Sequence, residues 1–87
     1  MTVTKELVAQ ICKDCLTKGN KAGYYDIDMH IADVIEEVKK LERTDSIDDT
    51  ANFNAGVMMF LIETKEDPDY AVIFFSDISN WACEYFE

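Results

Sequence analysis

Three cysteines, a single histidine and a large excess of carboxylates are the residues of this chain able to react, ligate or bind. Cys12 and Cys15 have the C-x-x-C spacing of zinc and redox motifs. A structural zinc site takes four ligands, and no second pair or nearby histidine accompanies these two. A redox pair carries its reactive thiol at a helix start behind a strand, whereas both cysteines fall mid-helix on an apolar face. They read as small core residues. His30 stands at the edge of an apolar stripe, and no nucleophile is singled out to pair with it. Gly19, Gly23 and Gly56 lie too far apart to build a phosphate loop.

The carboxylates carry the strongest global signal. Eighteen Asp and Glu against eight Lys and Arg give a formal charge of −10. Residues 1–25 hold four Lys against Glu6 and Asp14, a balance of +2. Residues 26–43 stand at −3, and residues 44–87, with Lys65 as the lone base, at −9. Binding nucleic acid directly through phosphates needs clustered Lys and Arg, so that function is disfavoured. An anionic membrane surface is disfavoured for the same reason. A basic protein surface is the partner such a field attracts, although an acidic surface also serves solubility. No apolar leader is visible in residues 1–20 and no run is long enough to span a bilayer. With three cysteines, an odd number, the expectation is a cytoplasmic protein with reduced thiols.

These side chains are carried by a chain of 87 residues, 48% hydrophobic, which suffices for one domain with a modest core. Helical periodicity predicts an all-α arrangement of four helices, near residues 4–18, 28–43, 50–65 and 68–86. Thr4 caps the first helix, whose apolar face runs through Leu7, Val8, Ile11, Cys12, Cys15 and Leu16, and Gly19-Asn20 reads as its stop. Ile31, Val34, Ile35, Val38 and Leu41 form the cleanest stripe, with acids early and bases late along that helix. Asp49 or Thr50 is expected to cap the third helix, whose wide arc (Phe53, Val57, Met58, Phe60, Leu61, Ile62) calls for neighbours on several sides. In residues 67–87, Asp67-Pro68 is a helix start. Tyr70, Ala71, Phe74, Phe75, Ile78, Trp81, Ala82, Tyr85 and Phe86 then share one face, which only Val72 and Ile73 break. The competing α+β layout turns residues 57–75 into a hairpin, but neither strand would alternate, so each would need cover on both faces.

Asp33 and Glu36, at i and i+3 with Glu37 beside them, are the candidate metal ligands. Asp45, Asp48 and Asp49 form an acidic loop without the glycine and closing Glu of an EF-hand. With the connector 21–25, the Asp33/Glu36 pair resembles the MazG-like nucleoside triphosphate pyrophosphohydrolases over residues 10–62. That resemblance implies an all-helical layout with magnesium held by acidic pairs on two successive helices. Phe53 and Gly56 occupy the places of the second pair and cannot ligate a metal, so a relative of this kind would be a degenerate, inactive one.

The functional expectation is therefore a small acidic protein-interaction module without cofactor or catalytic residues. Its carboxylates would imitate phosphates on the basic face of a nucleic-acid-binding protein, in the manner of small inhibitors carried by phages and mobile elements. The expected contacts are Asp45, Asp48 and Asp49 at one end of the third helix and Glu66, Asp67 and Asp69 at the other. Tyr24 and Tyr25 join them, because Tyr is enriched at interface hot spots. The unlike charges of the two chain halves also make head-to-tail self-association conceivable.

Overall fold

The computed structural model describes residues 3–41 and 47–86. They form four helices: α1 Lys5–Ala22, α2 Ile27–Lys39, α3 Ile47–Thr64 and α4 Pro68–Phe86. No strand occurs among the described residues. The hairpin layout for residues 57–75 is thereby excluded, because 57–64 continue α3 and 68–75 open α4.

Local chemistry explains most of the helix ends. The Thr4 hydroxyl accepts a hydrogen bond from the Leu7 amide at 3.2 Å, Asp26 accepts from Asp28 at 3.1 Å, and Asp67 accepts from Asp69 at 2.9 Å. Each satisfies an amide that the first helical turn leaves unpaired. α1 ignores the expected stop at Gly19-Asn20 and runs on to Ala22. Gly23, at φ 80°, ends it by donating to Asn20, while Tyr24 donates to Gly19. This is a Schellman arrangement that needs a left-handed residue at Gly23. α2 ends at Lys39, short of the expected residue 43, where the Lys40 amide donates back to Glu37 and the Leu41 amide to Val38. α3 begins at Ile47, so Asp48 and Asp49 lie inside its first turn and do not precede it.

The contacts fix how the helices run. Asn52 donates to the Val3 carbonyl, Gly56 packs on Lys5 and Val8, and Lys13 pairs with Glu63, so α1 and α3 are parallel. Phe53 packs against Trp81 and Phe60 against Phe74 with tilted rings, so α3 and α4 are antiparallel. Gly19 meets His30, which makes α1 and α2 antiparallel as well. α2 closes the ring on α4, while α1 and α4, like α2 and α3, face each other across a diagonal with no Cα atoms within 8 Å.

Inside the ring, Phe53, Phe60, Phe74 and Phe86 are fully buried with Ile78, Val8, Val34 and Val57. Burial of each such side chain contributes roughly 1.5–3 kcal/mol. α4 presents the face read from its sequence: Phe74, Ile78, Ala82 and Phe86 are buried and Trp81 and Tyr85 half-buried. Val72 and Ile73, the two residues off that pattern, are exposed.

Candidate functional site

The helix directions bring both short connections, residues 23–26 and 65–67, to one end of the bundle. Tyr25 is 91% exposed there. Glu66, Asp67 and Asp69 sit at the same end, with Asp67 and Asp69 exposed and Glu66 half-buried. Asp26 and Asp28, exposed at the start of α2, lie at that end too. Asp26 and Asp28 thus flank Tyr25, whereas Glu66, Asp67 and Asp69 form a second acidic group lower on the bundle: Lys13 pairs with Glu63, α1 runs nine residues or roughly 13 Å past that level, and α3 ends one residue after it. Asp26 and Asp28 escaped notice in the sequence because which connections share an end follows from helix packing.

The two tyrosines of the connection differ in kind. Tyr24 is half-buried, its ring edge-on to His30 at 5.3 Å between centroids. The Asp33 carboxylate beside its hydroxyl raises its pKa. Tyr24 therefore pins the connection to α2, and Tyr25 alone faces outward. His30 is 5% exposed, wedged against Gly19 and Tyr24, and its Nδ1 has no hydrogen-bond partner. Its ring fills the notch at Gly19 against Tyr24, a packing role.

At the opposite end, Asp48 is exposed, whereas Asp49 is only 4% exposed. As the third residue of α3, Asp49 lies where a carboxylate complements the positive end of a helix. Buried there, it presents nothing to a partner. Asp45 falls outside the described residues. α3 is 18 residues long, or roughly 27 Å, so Asp48 and the Glu66–Asp67–Asp69 group cannot merge into one patch.

A cleft of about 350 Å³ opens between α1 and α2, lined by Ile11, Asp14, Cys15, Lys18, Asp33, Glu36 and Glu37. One oxygen of Asp33 is buried without a partner there. The magnesium arrangement of the MazG-like enzymes nevertheless does not fit. α3, which would bring the second acidic pair, has no Cα atom within 8 Å of α2. It turns Phe53 into the core and Gly56 against α1. Among the described residues, no group of three or more His, Cys, Asp or Glu is placed to hold a metal ion. Burial, with Asp33 and Glu37 nearby, pushes the Cys15 thiol up to about 11. Burial, with Cys15 beside it, pushes the Cys12 thiol up to about 12. Both thiols therefore hold their protons near neutral pH, which makes them poor nucleophiles.

No protein-family model, curated protein or solved structure matches this chain. Function must be argued from its own surface.

Two surfaces qualify as sites of contact. One is the acidic end around Tyr25. The other is an apolar groove of about 400 Å³ along the outer side of α3 and α4, lined chiefly by Met58, Leu61, Ile62, Ala71, Val72 and Phe75. The signal for it lay in the sequence, in the width of the α3 arc and in the off-pattern Val72 and Ile73. Among the described residues, no helix is long and apolar enough to cross a membrane.

Proposed function

We propose that this protein is an acidic interaction module that docks on a basic surface of a partner protein. One observation carries the reading: the two connections at one end of the bundle each present carboxylates, Asp26 and Asp28 beside the projecting Tyr25, and Glu66, Asp67 and Asp69 at the start of α4. An exposed aromatic ring flanked by carboxylates suits a cationic surface. The ring packs on Arg or Lys stems and the carboxylates meet their charges. Asp26 and Asp67 are held by their capping hydrogen bonds, so part of the ordering cost is met before docking. Carboxylates spaced around a rigid end can occupy phosphate positions on a nucleic-acid-binding protein, and an inhibitor of that type is the most specific form of the reading.

The test is capture of partners from the native host, followed by titration with the purified partner. Binding should weaken steeply between low and high salt, and nucleic acid should compete. The triple variant Glu66→Gln, Asp67→Asn, Asp69→Asn should weaken it further, and Asn at position 67 keeps the helix cap. Affinity indifferent to salt and to the triple variant would remove the electrostatic reading.

A further inference from the structure

Two irregularities meet at one place on this molecule. The apolar arc of α3 is wider than its two neighbours, α1 and α4, can cover, which leaves Met58 at 42% and Ile62 at 69% exposure. Across the groove, Val72 of α4 is 69% exposed. A ring of four helices has no fifth element for these side chains, and single scattered exposure does not describe them, because they line one groove.

The groove also extends into a longer uncharged face. On α3 the residues that follow it at 4-3-4 spacing are Ala51, Ala55, Met58 and Ile62. On α4 the matching series is Val72, Ser76, Ser79 and Cys83. That spacing is the seam of a helix that receives another helix. The two series run antiparallel, bulky at the α3–α4 turn and small further along, so a third helix can approach closely over about 11 residues, or roughly 17 Å.

From this, the geometry points to the α3–α4 groove as the seat of an amphipathic, basic helix of the partner protein. The assignment rests on the reading of the protein as a module for basic partners and specifies the element bound. Charge decides between occupants. The groove's lining is uncharged, and the charges at its α3–α4 turn end are Glu66, Asp67 and Asp69 against Lys65, a net −2. A second copy would bring the same acidic turn end, and an anionic lipid surface would bring like charge too. A helix with apolar residues at i, i+3, i+4 and i+7 and Lys or Arg at one end complements both the floor and that turn. The groove opens within about one turn of Glu66 and Asp69, so such a helix lays its apolar face between α3 and α4 and its basic end on the acidic end of the bundle.

The probe is a synthetic peptide of about 18 residues, Leu at the i, i+3, i+4, i+7 positions and Lys elsewhere, compared with a scrambled isomer and a Leu/Glu counterpart. The amphipathic Leu/Lys peptide should bind and shift backbone amide resonances on the outer sides of α3 and α4. Ile62→Asp and Val72→Asp should each weaken it by about tenfold. Both replace exposed side chains, so circular dichroism should show the variants fully folded. Both also add negative charge, so attraction by charge alone would strengthen. Binding unchanged or tightened in these variants overturns the assignment, as does equal binding of the scrambled or the Leu/Glu peptide, or no binding at all. So does a dimer in sedimentation that Ile62→Asp dissolves, since the groove would then seat a second copy. With the captured partner, loss on the Glu66/Asp67/Asp69 triple variant but not on Ile62→Asp or Val72→Asp removes the groove and leaves the acidic-end reading standing. The opposite pattern removes the acidic end and leaves the groove.

Discussion

The ring of His30 lies so close to the backbone of Gly19 that a Cβ there would stand 2.6 Å from its Nδ1 and Cε1. The Tyr24 ring presses on the same point from the other side, also at 2.6 Å. Gly19 is thus a notch in α1 that admits two rings, and its place three residues before the helix end at Ala22 follows from that. Gly19→Ala should destabilise the protein by about 1–2 kcal/mol in urea denaturation, because overpacking outweighs the better helix propensity of Ala. Gly56→Ala should cost more. Its Cβ would meet the Lys5 carbonyl and the Val8 Cβ, each at 2.5 Å, and a backbone oxygen yields less readily than a side chain.

Tyr24 and Tyr25 should separate cleanly under mutation. Tyr25→Ala removes a ring that touches little, so the unfolding free energy should stay within about 0.5 kcal/mol of the parent while partner affinity falls. Tyr24→Phe deletes the hydroxyl that faces Asp33, one oxygen of which lacks a partner, and should lower the urea midpoint more than Tyr25→Ala does. Equal effects of the two substitutions on stability would contradict the division of labour.

Core and surface should also differ in scale. Phe53 and Phe60 are fully buried, and replacing either with Ala should cost about 3–5 kcal/mol. That is a large share of what an 87-residue domain has in reserve. Lys13→Ala, which breaks the pair with Glu63, should cost under about 1 kcal/mol, because both partners are substantially exposed and screened.

Much of this was legible in the chain. The α4 stripe, the capping Thr4 and Asp67, and the buried Cys12 and Cys15 follow from periodicity and turn chemistry, which are local. The end of α1 was misplaced because Gly19 answers to His30, a residue of the next helix. The start of α3 was set too late because Asp49, polar and next to a loop-like run, packs inward. The outward groove shows in Met58, Ile62 and Val72 as residues that do not fit, but its position depends on which helices are neighbours. That ring order is a property of the packed bundle, and no window of sequence contains it.

Alkaline pH should loosen the bundle. Burial raises the thiol of Cys12 from 9.0 to about 12 and that of Cys15 from 9.0 to about 11. Burial, with Glu66 adding to it, raises the Tyr70 hydroxyl from 10.0 to about 12. A raised acid pKa means the folded state holds its proton more tightly than the unfolded chain. The stability from these groups is therefore complete below pH 9 and is lost as pH climbs from about 9 to 12. Urea midpoints should be flat from pH 7 to 8 and fall above about 9, and Cys12→Ala should flatten the descent. At pH 8, half-exposed Cys83 should react with iodoacetamide well before Cys12 or Cys15.

The parallel pairing of α1 with α3 bears on how fast the chain finds its fold. Val3 meets Asn52, and Lys13 meets Glu63, across separations of 49 and 50 residues. Helical proteins usually owe their speed to contacts close in sequence. Here the interface that admits no side chain at Gly56 forms only after a loop of some fifty residues has closed, at an entropic cost that grows with the logarithm of its length. Each antiparallel helix pair can form early on its own, and the rate-limiting event should be their mutual docking. Substitutions at Val8 and Gly56 should accordingly slow refolding, whereas substitutions at the exposed end around Tyr25 should leave the refolding rate unchanged.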